Sequence, residues 1–462
     1  MATTPYFVLS PNLIVSLVGL IHGPDKTVPT PAEDWREATV GVVIPAYNEE
    51  KNIVLCLDSL LDQTIKPKEI ILIDDGSSDN TIQVAEEFCK LRGADITIIK
   101  RDHSIGKTPS LKIQSRVFDT DVEFVLDADT YLESNNYIER MVQELYQAVG
   151  ISSVCGMIKP TRDKDRKAWL EDENIQEYFK EYGEKDFLLK QDWIHRNMRA
   201  VSSTYRDALY SFLQEFIYHG QMVWFGTITN PVGCAVAYRR KYLKDLFATY
   251  EPILGDDLTN SEDIFIGFAM LNHGYRNVQI TDVVARSQEP EAEYLPKQIY
   301  LWSSSFFQSC YYFPDLVFTP FKSFRSYLHH RKISKKEQEL IKEKRKIQEP
   351  YRQVFGDERT ARYGRPMGWS IFTSLAEKIL FPIALLLMIV FQMWEAVLLT
   401  LIIEGSVSIG VLMYINKGKR WEYMFKGLIS TPVRYLSLLY DFVTFIRFLA
   451  DILIFRDRRW RK

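Results

Sequence analysis

The chain has 462 residues, enough for one large catalytic domain with appended elements. Hydrophobic residues make up 46% and charged residues 25%, as in a globular protein. The formal net charge of -3 excludes a generally basic, nucleic-acid-coating protein, so nucleic acid is not an expected partner.

An apolar patch from Tyr6 to Ile21 is interrupted by Pro11 and Asn12. It lacks the basic lead and small-residue cleavage site of a signal peptide and is short for a bilayer crossing. An interfacial or buried segment over residues 1–38 is expected. The five cysteines (Cys56, Cys89, Cys155, Cys234, Cys310) are scattered, without CxxC and without histidines at zinc-ligand spacing. They read as reduced core thiols in a cytosolic domain.

From Thr39 the pattern alternates strands and helices. Val40-Gly41-Val42-Val43-Ile44 predicts a buried strand ended by Pro45. Ile53, Leu57, Leu60 and Leu61 make a helical stripe over Glu49–Leu61. Glu69-Ile70-Ile71-Leu72-Ile73 predicts a second strand, and Ser78-Asp79-Asn80-Thr81 caps a helix running to Lys90. Ile96–Ile99 and Glu123–Leu126 predict two more strands. The expected fold is α/β, a mainly parallel sheet with helices on both faces. Residues 160–225 read as helical, with strand character returning at Thr227–Tyr238.

Between Phe321 and Lys346 ten Lys or Arg stand against three Glu, which predicts a helix that is solvated or lies on anionic lipid. Ile379–Trp394 and Ala396–Ile415 are apolar enough to cross a bilayer. Pro432–Phe455 carries Arg434, Asp441, Arg447 and Asp451, which favours a segment along the inner surface or lining a protein-walled cavity. The expected organisation is an interfacial segment 1–38, a catalytic domain 39–310, a basic interfacial region 311–368 and membrane helices 369–462. The catalytic domain and C-terminus would be cytosolic in a multi-pass membrane protein, placing Lys417, Lys419 and Arg420 inside.

Pro45-Ala46-Tyr47-Asn48-Glu49 and Asp74-Asp75-Gly76-Ser77 follow successive parallel strands, where open α/β sheets bind ligands. An Asp there can accept from a uracil N–H or a ribose hydroxyl. Leu126-Asp127-Ala128-Asp129 ends the fourth strand, and alternation along a strand points Asp127 and Asp129 the same way. Two such carboxylates suit Mg²⁺ or Mn²⁺ held together with substrate phosphates. Ser261-Glu262-Asp263 reads two ways: an N-cap with acids in the first helical turn, or Asp263 as general base beside Glu262. Gln298 and Trp302 read as a sugar-stacking platform or as core helix residues. Lys107 after Gly106 could neutralise a phosphate, although the earlier glycine of a P-loop is missing.

Taken in order, these motifs resemble family 2 glycosyltransferases of the GT-A fold, most of all the membrane-embedded synthases of chitin, hyaluronan, cellulose and poly-N-acetylglucosamine. The resemblance covers residues 39–310. It implies that Pro45, Ala46, Tyr47, Glu49, Asp74, Asp75, Lys107 and Asp127 bind a nucleotide-sugar donor. It implies further that Asp127 and Asp129 carry Mg²⁺ or Mn²⁺, that Asp263 beside Glu262 is the base, and that Gln298 and Trp302 meet the acceptor. Ser261 replaces the Thr of the Thr-Glu-Asp motif, and Leu301 replaces the Arg of the Gln-x-x-Arg-Trp motif, a departure that bears on processive synthesis. The implied function is inverting transfer from a UDP-sugar to a growing β-linked polysaccharide or oligosaccharide at the membrane. Single-sugar transfer to a lipid acceptor such as a glycolipid or polyprenyl phosphate is the second reading. A catalytically silent nucleotide-sugar-binding membrane protein is the third.

Overall fold

The structure is a computed structural model, and it describes residues 11–22, 34–147, 150–184, 193–254, 261–330, 339 and 356–455. Its centre is an eight-stranded sheet in the order β3-β2-β1-β4-β7-β6-β8-β5. The strands are β1 (Val40–Ala46), β2 (Glu69–Asp74), β3 (Thr97–Lys100), β4 (Val122–Leu126), β5 (Thr130–Leu132), β6 (Ile151–Pro160), β7 (Ala235–Arg239) and β8 (Arg276–Ser287).

Strands β1 to β4 are all parallel where they pair, as their β-branched runs and intervening helices require. Pro45 does not end β1 but lies within it, in register with Ile73. Antiparallel pairing enters with β7, which inserts between β4 and β6, and again where β5 meets β8. The sheet is therefore mixed, and parallel ladders predominate. Alternation along the strands divides the core between the two faces. Val42, Ile44 and Phe124 pack with Leu57 and Phe88 on one side, while Val43 and Val125 pack with Leu111 and Phe265 on the other.

The helix predicted over Glu49–Leu61 starts later, at Ile53. The physical reason is that residues 48–50 are tied to the loop after β2. Asn48 takes a positive φ of 58°, its N–H donates to Ser77 Oγ at 2.9 Å, and its Oδ1 accepts from Ser78 N at 2.8 Å. Glu49 N donates to Thr81 Oγ1 at 2.8 Å and Glu50 N to Asp79 Oδ2 at 3.1 Å. Two motifs thirty residues apart thus become one knitted edge of the site.

Residues 160–225 are helical where described, in Asp163–Leu170, Glu173–Tyr182, Trp193–Phe212 and His219–Phe225. The last two are joined by a π-helical turn, Leu213–Tyr218. There Gln214 holds Ile158 of β6 with both ends of its amide, at 2.8 Å each, so the helices are clamped to the sheet.

Phe313, Leu316 and Val317 join the core against the helix Glu262–His273. The described parts of 311–368 therefore pack with the domain built on the sheet. Most of the basic stretch, at 331–338 and 340–346, lies outside the described residues. All five cysteines are free thiols.

Gly368–Val390 and Trp394–Ile415 are long and apolar enough to cross a membrane. Leu387, Val390, Phe391, Leu398 and Ile402 are exposed on them. The long helix Arg420–Ala450 follows, with Pro432 inside it. Its charges are matched internally: Arg434 pairs with Glu404, and Asp441 with Lys378 and Ser303. The helix Pro11–His22 uses Pro11 at its start, a position where no intrahelical N–H is needed. It crosses His219–Phe225 so closely that a Cβ on Gly220 would lie 2.6 Å from Ser16 Cα, and one on Gly19 would lie 2.7 Å from Gly220 Cα. Gly220→Val should therefore force the two helices apart and destabilise the protein by about 1–3 kcal/mol, the usual cost of overpacking. Thermal unfolding in detergent measures this, and an unchanged midpoint would contradict the contact.

Candidate active site

The loops at the carboxyl ends of β1 and β4 open into a cavity of about 960 Å³. Glu49, Lys107, Asp127, Asp129, Glu262 and Asp263 line one part of it; Glu289, Gln298 and Trp302 line another. Sequence elements more than two hundred residues apart meet there. Pro45, Ala46, Tyr47, Asp74 and Asp75 are not part of this lining. Pro45 and Ala46 are in β1, Tyr47 is exposed beside it, and Asp74 accepts from Ser77 N at 3.3 Å within its own turn.

Asp75 serves the loop that presents Lys107. Its carboxylate accepts from Arg101 Nη1 (2.8 Å), Ser104 Oγ (2.5 Å), Ile105 N (3.0 Å) and Gly106 N (2.9 Å). Burial works against its charge, but these hydrogen bonds win and hold its pKa below the ordinary carboxylate value. Gly106, at φ 95°, then starts the helix Lys107–Val117 and delivers Lys107 into the cavity.

Asp127 and Asp129 lie just beyond β4, in a turn closed by Thr130 N to Asp127 O at 2.9 Å. Their shared exposure to the cavity comes from this turn rather than from strand alternation. Asp127 Oδ1 is 2.7 Å from Lys107 Nζ, and Asp129 Oδ1 accepts from Thr130 Oγ1 at 3.0 Å. Lys107 Nζ also lies 2.8 Å from Glu262 Oε1 and 3.0 Å from Gly233 O. One ammonium thus links the Asp-x-Asp turn to the Ser-Glu-Asp motif. Burial opposes its charge, yet Asp127 and Glu262 raise its pKa above the usual value.

Asp263 opens the helix Glu262–His273. Ser261 stands at the N-cap position, but its side chain makes no capping hydrogen bond. Asp263 Oδ1 and Oδ2 accept from Ile264 N at 2.9 Å and Gly233 N at 3.2 Å. A Cβ on Gly233 would come within 2.9 Å of Asp263 Cβ, so only glycine allows this approach. Thr259 and Asn260 lie outside the described residues.

Burial and then neighbouring Glu262 push Asp263 up to about 7. Burial and then Asp127 raise Asp129 to about 7, and burial and then Asp129 raise Glu49 to about 8. The cluster holds more carboxyl groups than Lys107 alone can neutralise, and protonation relieves the surplus. Among the described residues no group of three or more His, Cys, Asp or Glu forms a metal-holding cluster. Two exposed-to-cavity carboxylates fit a hard divalent cation that takes its remaining ligands from phosphate and water. The oxygen-only donor set at Asp127 and Asp129 is consistent with Mg²⁺ or Mn²⁺.

Sequence reasoning missed Arg206, Tyr210 and Arg199 altogether. Arg206, on the helix Trp193–Phe212, is 1% exposed. Its guanidinium lies 4.3 Å from the Trp302 ring centroid, bonds Gln298 Oε1, and is 3.6 Å from Glu289 Oε2. Burial pushes Glu289 up to about 7 although Arg206 and the Tyr210 hydroxyl pull it down. Leu301 thus leaves no missing guanidinium at this platform, because one arrives from a different helix. The only local signal was an arginine on an otherwise small and aromatic helix face, at Ser202, Tyr205 and Ala208.

Comparison with known proteins bears on the same segment. Residues 41–247 match the sequence profile of Glycosyl transferase family 2. That likeness lies within somewhat less than half of the chain. An uncharacterized glycosyltransferase EpsJ of Bacillus subtilis is 33% identical over 128 residues, 27% of this chain and 36% of that protein. The undecaprenyl-phosphate 4-deoxy-4-formamido-L-arabinose transferase of Proteus mirabilis is 35% identical over 121 residues, 24% of this chain and 36% of that protein. The chain thus spans little more than a third of the length of these relatives. Among solved structures, mannosyltransferase PcManGT of Pyrobaculum calidifontis, in complex with GDP-Man and Mn²⁺, aligns over 92% of this chain and 94% of its own, at 15% identity and a TM-score of 0.43.

The raised carboxylates give a pH prediction. Glu49, Asp129 and Asp263 hold protons in the folded chain up to pH 7–8 but lose them near pH 4 when unfolded. Their contribution to stability is therefore full below about pH 4 and is lost as pH rises toward 8. A cation at Asp127 and Asp129 reverses that loss and releases protons. Mn²⁺ with UDP should raise the unfolding temperature more at pH 8 than at pH 5.5, and calorimetry in buffers of different ionisation enthalpy should read proton release. Equal stabilisation at both pH values would contradict the arrangement.

Proposed function

We propose that this chain is an inverting glycosyltransferase that moves a sugar from a nucleotide-diphosphate donor, a UDP-sugar, to an acceptor hydroxyl. The observation that carries this reading is that Asp127, Asp129 and Asp263 open into one cavity, with Lys107 between Asp127 and Glu262, the residue before Asp263. Asp127 and Asp129 would hold Mg²⁺ or Mn²⁺, which when bound neutralises charge on the leaving diphosphate. Lys107 is placed to move from Asp127 to that diphosphate as negative charge develops there. Asp263 takes the proton of the acceptor hydroxyl while its oxygen forms the new bond at the anomeric carbon. The bond from that carbon to the diphosphate oxygen breaks, and the nucleoside diphosphate leaves with the electron pair. Attack opposite the leaving group inverts the anomeric centre. A pKa near 7 suits Asp263 for this work, because the group is then both available and basic enough at neutral pH.

Trp302, stacked on Arg206 and flanked by Gln298, offers a flat face for an acceptor sugar, which supports extension of a β-linked glycan at the membrane. The second reading, single transfer to a lipid-borne acceptor, is supported by Leu301 and by the two apolar helices that follow the domain. Both readings place the catalytic domain and the C-terminus on the cytosolic side, with Gly368–Val390 and Trp394–Ile415 as a membrane hairpin. Three intact carboxylates in one cavity argue against a silent sugar-binding protein.

Asp127→Asn and Asp129→Asn should abolish turnover of a panel of nucleotide sugars while leaving the fold intact. Asp263→Asn should slow turnover by about two orders of magnitude or more, the scale of a general base, with little change in nucleotide binding. Near-native rates in the first pair at saturating cation, or loss of nucleotide affinity in the third, would contradict these roles.

A further inference from the structure

A second cavity of about 320 Å³ lies beside the first. Arg199 and Gln288 line both, so the two are neighbours. Its walls carry Arg162, Lys164, Arg166, Arg199 and Lys426 against two carboxylates, Asp163 and Asp207. Five of those groups are committed to each other or to outside partners, Asp163 among them through Arg196. Arg162 pairs with Asp165, Arg199 with Glu291, and Lys426 with Asp207.

Arg166 is different. It is 6% exposed, and its guanidinium donates to Asn52 Oδ1 at 2.9 Å and to Lys51 O. Both partners are neutral, and among the described residues no carboxylate pairs with it. Burial, then Arg199 nearby, lowers its pKa to about 10, although Tyr131, Asp163 and Glu49 act in the other direction. A buried guanidinium without a counter-charge is costly, and a planar fork of donors matches a phosphate. The cavity contains none of the residues of the loops after β1 and β2 that face the donor side. Gln288 instead precedes Glu289, on the acceptor side. Lys426 belongs to the helix that follows the two apolar helices, so this cavity sits where the domain meets them.

We propose that this cavity is an anion subsite that holds the phosphate of the acceptor, with Arg166 as its principal donor and Lys164 and Arg199 on its walls. The acceptor is thus a phosphate-bearing molecule, anchored here while its reacting oxygen reaches Asp263. This rests on the glycosyltransferase reading above and names the acceptor class within it. The phosphate is carried by a lipid or by a soluble molecule, and the experiment separates these sources.

Full-length protein in a neutral detergent, with EDTA present so that no cation bridges phosphate to Asp127 and Asp129, is titrated with dodecyl phosphate, dodecanol and inorganic phosphate. Dodecyl phosphate should bind at least about tenfold more tightly than dodecanol, the scale of one or two charge-assisted hydrogen bonds. The advantage should disappear in Arg166→Gln. Because Arg166 also ties down Lys51 and Asn52, the double variant Lys164→Gln with Arg199→Gln, which leaves those bonds alone, serves as a second probe and should reduce the advantage several-fold. Inorganic phosphate that binds as tightly as dodecyl phosphate marks a soluble phosphorylated acceptor; weaker binding marks a lipid-borne one, and either supports the subsite. Dodecyl phosphate that binds no better than dodecanol, or equally well to native protein and double variant, overturns it. UDP titrated with Mg²⁺ reads the donor site separately. UDP binding without a phosphate preference sinks this subsite alone, and a phosphate preference without UDP binding sinks the donor reading alone.

Discussion

The site depends on one ion cluster, Lys107 between Asp127 and Glu262. Two carboxylates from elements far apart in sequence share one ammonium at 2.7 and 2.8 Å, and the same ammonium holds Gly233 O. Lys107 is in turn fixed by the Asp75-bonded loop and by Gly106. Glu49, Asp129 and Asp263 line the same part of the cavity, and burial favours their protonated forms up to about pH 7 to 8. Such a cluster is poised for cation and phosphate, because each brings the charge that the other side lacks.

The first half of the sheet was legible because its strands are short and rich in Val, Ile and Leu, and the strands β2 and β4 are closed by Asp-rich turns. The later strands were not. β6 interrupts its apolar residues with Ser152, Ser153 and Gly156, and β8 carries Asn277, Gln279, Thr281 and Asp282. Those polar groups are satisfied by long-range partners, as Asn277 is by Ser153 at 2.7 Å and by Gly267 O at 3.0 Å, and no local pattern announces such bonds. Without β6 and β8 in view, the antiparallel insertion of β7 had no visible cause.

The candidate site was legible to the extent that chemistry follows local motif. Asp127, Asp129, Glu262, Asp263, Glu49, Lys107, Gln298 and Trp302 do line one cavity. Asp75 illustrates the limit: its position after β2 suggested a nucleotide contact, whereas its carboxylate is engaged by four donors of the neighbouring loop. Arg206 illustrates another. The substitution at Leu301 looked like a loss, yet a guanidinium from a helix about ninety residues earlier stacks on Trp302. The charges in the C-terminal helices were equally ambiguous in sequence, since Glu404 and Arg434 look costly one at a time and are paired in three dimensions.

In the proposed function, Lys107 holds in the free chain the place beside Asp127 that a divalent cation would take. Mn²⁺ binding to nucleotide-free protein at pH 8 tests it most directly, with native protein compared with Lys107→Met. Loss of the competing ammonium should tighten Mn²⁺ binding by about tenfold, the effect of removing one close like charge from a partly shielded site. Mn²⁺ affinity that is unchanged or weaker in Lys107→Met would contradict the account.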